Sequence, residues 1–111
     1  MDETTRWRIG INEATFREVN EGIRSDAGAG ATAYICECGR LGCNQLIQLT
    51  RPAYEDIRRH PRRFAVVAGH ELVETEDVVA RHDGYHVVEK RAEAAVAAEL
   101  TDPRPPLIDV D

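Results

Sequence analysis

The stretch Cys36-Glu37-Cys38-Gly39-Arg40-Leu41-Gly42-Cys43 contains all three cysteines of the 111-residue chain. Three thiolates on one tight turn can bind a zinc ion at little cost in loop-closure entropy. Gly39 and Gly42 can adopt positive φ, so the loop can turn back and bring Cys38 and Cys43 to one point. The odd number of cysteines and the closeness of Cys36 to Cys38 disfavour a disulfide.

A tetrahedral zinc site needs a fourth ligand, and the chain has four histidines. We predict His70, because it lies at the end of a strand-like run at 64–68, from which a side chain can reach a neighbouring turn. His60 lies in a basic cluster, and His82 and His86 flank a predicted turn. The predicted metal ligands for Zn²⁺ are Cys36, Cys38, Cys43 and His70. Two alternatives remain open: three buried free thiols that pack as small apolar groups, and a redox or catalytic cysteine.

The composition of the chain limits the classes of partner that it can be expected to bind. The formal net charge is −6, which disfavours nonspecific binding to nucleic acid or to an anionic membrane. No apolar run approaches the roughly 20 residues of a membrane span, and the N-terminus does not have the pattern of a signal peptide. Unpaired thiols fit a reducing compartment, so we expect a cytoplasmic protein.

The periodicity predicts an α+β domain in which one short antiparallel sheet is pinned by zinc. Predicted strands are 33–38, 45–49 and 64–68, followed by a hairpin of 76–82 and 85–90 about Asp83-Gly84. A helix from Pro52 to Arg59 should cover the sheet, and 92–100 should form another. The predicted division is an N-terminal helix in 1–24, a flexible linker at 25–32, the zinc-binding domain at 33–102 and a proline-rich tail at 103–111.

The N-terminal helix is predicted to begin at Asn12, as its cap, and to end at Arg24. Phe16, Val19 and Ile23 lie on one stripe, at three- and four-residue spacing. Such a stripe packs on its own domain or docks on a partner, and we expect a protein partner at this stripe.

Other residues suggest competing functions. The arginines of 58–63 could bind phosphate groups of a nucleic acid or another ligand. Glu71 could activate a water on a catalytic zinc, but three thiolates blunt the Lewis acidity of the metal, so we expect Glu71 to be solvated or to orient His70. A zinc–thiolate site could also act as a redox switch. We find no nucleophile–base–acid set and expect a non-enzymatic interaction or regulatory module.

The joint pattern resembles a family of short uncharacterised proteins of actinobacteria that carry a Cys-x-Cys-Gly…Cys knuckle and a later Gly-His-Glu. The matching residues are Asn12, 16–21, 36–39, Cys43, 49–50, 54–55, Pro61, Phe64, 69–71, 78–79, Tyr85, 87–90 and 101–103. The resemblance covers most of the chain and implies no particular activity. It does pair the knuckle with His70, because the two motifs occur together in the family.

Overall fold

A computed structural model describes residues 2–104, so the predicted tail lies outside the described residues from position 105 onward. The elements in chain order are α1 (Glu3–Asp26), β1 (Ala31–Ile35), β2 (Leu46–Thr50), α2 (Arg51–Arg58), β3 (Arg63–Val67), β4 (Glu76–His82), β5 (Tyr85–Lys90) and α3 (Ala92–Leu100). The predicted α+β fold class is confirmed.

Helix α1 is longer than predicted at both ends. It begins at Glu3, because the Asp2 side chain accepts a hydrogen bond of 2.7 Å from the Thr5 amide and so caps the first turn. Its last turn includes Ser25 and Asp26, which were assigned to a flexible linker. Since β1 begins at Ala31, the connection is only 27–30. The small residues of this stretch misled the prediction because composition alone does not locate a helix end.

The strands form two antiparallel sheets rather than one. In the first, β1 pairs with β2, with Tyr34 opposite Ile47. In the second, the order is β3-β5-β4, and β4 and β5 form the predicted hairpin about Asp83-Gly84. Gly84 has a φ of +86°, which a tight two-residue turn favours.

Helix α2, the predicted covering helix, packs on β2 of the first sheet and on β3 of the second. The Thr50 hydroxyl caps it by accepting a hydrogen bond of 3.2 Å from the Ala53 amide. Tyr54 and Ile57 point inward and join a core with the buried residues Tyr34, Ile47, Leu49, Ala65 and Val87. The second core contains Cys36, Cys38, Phe64, Val66, Val88 and Ala98, so two cysteines are part of the hydrophobic interior.

The inward face of α1 is polar. The Arg17 guanidinium is fully buried, lies 4.3 Å from the centre of the Phe64 ring, and donates hydrogen bonds to the carbonyls of Pro61 and Ala98. Asn20 binds both the amide and the carbonyl of Ile35, at 2.9 and 2.8 Å. Buried hydrogen bonds therefore help to hold the helix to the domain.

The predicted apolar stripe of α1 is divided between the interior and the surface. Ile23 packs against the first core, Phe16 is half-buried, and Val19 is 43% exposed. Part of the stripe thus serves the fold of this domain, and its proposed role toward a partner stays a prediction.

Candidate metal centre

The cysteine stretch forms a knuckle that extends the β1–β2 hairpin. The Cys36 amide donates to the carbonyl of Gln45 at 2.9 Å, and the Cys43 amide donates to the carbonyl of Arg40 at 3.1 Å. Gly39 and Gly42 have φ angles of +73° and +81°, as their positions in the stretch predict. These two turns reverse the chain, so that all three sulfurs come to one side of the knuckle.

The fourth predicted ligand comes from the end of β3. The chain turns at Gly69, which has a φ of +93°, and the His70 amide donates to the Val67 carbonyl at 2.9 Å. This turn directs the imidazole toward the knuckle. The ligand atoms of Cys36, Cys38, Cys43 and His70 all lie within 4.8 Å of one another. The structure therefore brings together all four residues predicted from the sequence.

Two distances in this cluster can be compared with those of a tetrahedral zinc centre. The His70 Nδ1 atom lies 3.7 Å from the sulfur of Cys36 and 3.7 Å from the sulfur of Cys43. A tetrahedral centre with bonds of about 2.3 Å to sulfur and about 2.0 Å to nitrogen has sulfur–nitrogen edges of about 3.5 Å. These two distances are close to that value and all four ligand atoms lie within 4.8 Å of one another, so the geometry is compatible with a metal site.

The surroundings of the sulfurs favour a thiolate at Cys38. The Val67 amide donates to the Cys36 sulfur at 3.1 Å. A hydrogen bond from the Cys36 thiol, together with one from the Arg40 amide, lowers the pKa of Cys38 to about 4. The same shared proton raises the pKa of Cys36. A metal binds the deprotonated sulfur, so Cys38 is ready to act as a ligand. Cys36 would release its proton when a metal binds.

Glu37, between two of the ligands, anchors the knuckle from its opposite side. Its side chain is fully buried and accepts hydrogen bonds from the Asn20 amide group (2.8 Å), the Tyr54 hydroxyl (2.7 Å) and the Ala65 amide (2.9 Å). Burial raises the pKa of this carboxyl group, and the three donors oppose that effect. Alternation along the chain places the cysteines on one side and Glu37 on the other, so both faces of the knuckle are held.

Helix α1 packs directly on the knuckle. The Asn12 side chain, predicted to cap this helix, instead donates to the Gly39 carbonyl at 3.0 Å. A Cβ atom at Gly39 would lie 2.5 Å from the Glu13 Cγ and 2.5 Å from the Ile9 carbonyl oxygen. Only glycine permits this approach, so Gly39 serves both the turn and the docking of α1.

A buried ion triad lies beside this contact. The Lys90 ammonium binds the carboxylates of Glu13 and Glu76, each at 2.5 Å, and all three side chains are nearly inaccessible to solvent. Burial raises the pKa of Glu13 to about 7 despite the lysine. We did not predict this triad: Glu76 and Lys90 face each other across the β4–β5 hairpin, but Glu13 lies in α1 and no local spacing relates it to the other two.

Glu71 does not orient His70. Its carboxylate accepts a hydrogen bond of 3.0 Å from the Gly69 amide and pairs with the His86 Nδ1 at 3.2 Å. The expectation that Glu71 is solvated or orients the ligand is thus replaced by a contact with another histidine.

The arginines of 58–63 are neutralised within the molecule. Arg58 is fully buried and binds Glu21 at 2.6 Å as well as Asp102. Arg59 pairs with Asp56, Arg62 with Glu99, and Arg63 with Glu89. Arg58 is therefore inaccessible to a phosphate group. At each of the other three arginines a phosphate would have to compete with a carboxylate that is already bound.

Comparison of the chain with protein-family models, with curated proteins and with solved structures finds no match in any of the three. Among residues 2–104, no helix combines the length and apolar character needed to cross a bilayer.

Proposed function

We propose that this protein is a non-enzymatic, cytoplasmic zinc-binding module that acts through contacts with a protein partner. The observation that carries the proposal is the Cys₃His cluster, with four ligand atoms within 4.8 Å and His70 at 3.7 Å from two sulfurs. Thiolate and imidazole in tetrahedral arrangement are the donors that zinc prefers.

A structural role for the zinc is favoured by the number and kind of the donors. Four protein ligands leave no open position for a water or a substrate, and three thiolates reduce the Lewis acidity of the ion. The metal would join the knuckle after β1 to the end of β3, segments of two different sheets. Its role would thus be to hold the two sheets and the docked α1 in one arrangement.

Elemental analysis of protein purified without added metal tests the zinc assignment. We expect one zinc per chain, lost in Cys38→Ser and in His70→Ala, because each variant removes a ligand. His60→Ala is the matched control, since His60 is an exposed histidine outside the cluster. Substitution with cobalt, whose visible absorption reports tetrahedral thiolate coordination, should change in His70→Ala and not in His60→Ala. Absence of metal from the wild type, or an unchanged cobalt spectrum in His70→Ala, would contradict the proposal.

The interaction role has its own test. A defined partner should bind the zinc-loaded protein and be released when zinc is removed by a chelator, because the knuckle supports α1 through Asn12 and Gly39. If the affinity for the partner does not change when zinc is removed, the metal site is not required for the interaction.

A further inference from the structure

A groove of about 740 Å³ runs between the first half of α1 and α3. Two large apolar side chains of α1 line it and are substantially exposed: Trp7 at 68% and Ile11 at 46%. Binding clefts in proteins commonly have volumes of roughly 300–1,000 Å³. The groove is therefore large enough for a partner and has the apolar surface that a partner would cover.

The shape of the groove fits a helix. Most of its lining residues belong to α1 and α3, with further residues from 72–75, and several of the helical ones are small: Gly10, Ala14, Ala94 and Ala97. Small side chains permit a third helix to approach to the usual interaxial distance of about 8–10 Å. The lining of α1 extends from Glu3 to Glu18, which at a rise of about 1.5 Å per residue is about 22 Å. A helix of about four turns would occupy this length.

The charges of the groove favour a cationic occupant. Glu3, Glu18 and Glu93 line it and form no ion pair with any residue in 2–104. The lining also includes three cations: Lys90 and Arg91 are already bound to carboxylates, and Arg6 has an interaction partner as well.

The floor of the groove has the same polarity. Glu13 and Lys90 line it, and Lys90 also binds Glu76, so that two carboxylates share one ammonium group. When both carboxylates are ionised the triad has a net charge of −1 in a poorly solvated place. A cation in the groove would reduce the cost of that charge.

We propose that this groove binds an amphipathic helix of a basic partner protein. The apolar stripe of that helix would cover Trp7 and Ile11, and its flanking Lys or Arg side chains would pair with Glu18 and Glu93. This inference assigns a partner class to the interaction role proposed above and rests on that role. A second copy of the chain fits less well, because each copy has a net charge of −6.

Trp7 provides the readout, because it is the only tryptophan of the chain and lies in the groove. The zinc-loaded full-length protein is titrated with a synthetic amphipathic helix of about 14 residues, with leucines on one stripe and lysines beside them. A matched peptide carries glutamates in place of the lysines. We expect a saturable shift of Trp7 emission to shorter wavelength with the lysine peptide, and at least about tenfold weaker binding of the glutamate peptide.

Two charge-reversal variants locate the binding surface. Glu18→Lys should weaken binding of the lysine peptide about fivefold or more, because it places like charges together. Asp26→Lys makes the same charge change at an exposed position of α1 outside the groove, and it should leave the affinity unchanged.

Four outcomes would overturn the proposal: no emission shift, equal affinity for both peptides, equal effects of the two variants, or a shift that depends on protein concentration without peptide. The last result would assign the groove to a second copy. Zinc content measured on the same samples keeps a failure of the groove distinct from a failure of the zinc assignment.

Discussion

The carbonyl oxygen of Gly39 accepts a hydrogen bond of 3.0 Å from the Asn12 side chain, which joins the cysteine knuckle to the long helix that precedes it in the chain. Because no space remains for a side chain at Gly39, the position of α1 and the conformation of the knuckle depend on each other. Ile9 and Glu13, which lie against Gly39, also line the groove, so the candidate metal site and the groove share a packing contact.

The two glycines of the knuckle should respond differently to alanine. Both have positive φ, so each substitution incurs strain of about 1–2 kcal/mol. At Gly39 the new methyl group would also overlap Glu13 and Ile9, whereas nothing lies within 4 Å at Gly42. We expect Gly39→Ala to lower the free energy of unfolding by about 2 kcal/mol more than Gly42→Ala. Urea denaturation in zinc-saturated buffer measures this difference. Equal losses in the free energy of unfolding would show that α1 does not pack closely against Gly39.

Two stacked tyrosines offer a matched pair of hydroxyl deletions. The Tyr34 and Tyr54 rings lie 4.5 Å apart, and both residues are fully buried. The Tyr54 hydroxyl donates to the Glu37 carboxylate, whereas the Tyr34 hydroxyl has no partner among residues 2–104. Tyr54→Phe should therefore cost about 2 kcal/mol, and Tyr34→Phe should be neutral or stabilising. Thermal and urea unfolding of both variants test the ranking; a larger cost for Tyr34→Phe would refute it.

Removal of the buried Lys90 ammonium group should strongly lower the stability of the protein. Lys90→Met keeps the length of the side chain but leaves Glu13 and Glu76 buried together without a cation. Such a change costs about 3–5 kcal/mol, because an uncompensated buried charge remains. The adjacent Arg91 pairs with Asp77 at the surface, so Arg91→Met should cost less than about 1 kcal/mol. Similar unfolding midpoints for the two variants would mean that the triad is not important for stability.

The raised pKa of Glu13 makes stability depend on pH. The folded state keeps this proton up to pH about 7, whereas the unfolded state loses it near 4.5, the ordinary pKa of a glutamate side chain. As pH rises from 6 to 8, the folded state releases a proton that the unfolded state has already lost. The free energy of unfolding should therefore fall by about 1.4 kcal/mol over this range.

Glu13→Gln isolates this effect, because it removes the titrating group and keeps the metal ligands. Zinc binding has its own pH dependence, which both proteins share, so the prediction concerns the difference between their slopes. Unfolding measured at constant zinc excess should give a more negative slope for the wild type. If the free energy of unfolding depends on pH equally in both proteins, the titrating group is not Glu13.

Sequence reasoning located the elements and ligands whose determinants are local. Asp83-Gly84 between two alternating runs was sufficient to predict the β4–β5 hairpin, because that turn is specified by its own two residues. Three cysteines with two intervening glycines were likewise sufficient to predict a knuckle. The histidine was found by its place at the end of a strand, and the structure brings it to the sulfurs.

The start of α1 was missed although a local signal existed. Asp2 precedes a polar helical segment and caps it, but the search for an apolar stripe led to Asn12 instead. Hydrophobic periodicity does not detect a helix whose buried residues are polar. In α1 these buried residues are Glu13, Arg17 and Asn20.

The fold class, the hairpins and the set of candidate metal ligands could be predicted from the sequence, because local patterns along the chain specify them. The partners of the buried polar groups are known only from the folded structure: Asn20 with Ile35, Glu37 with Ala65, and Lys90 with Glu13. The physical reason is that a buried polar group can be satisfied by any donor or acceptor that folding brings near. Local sequence does not contain the position of that partner.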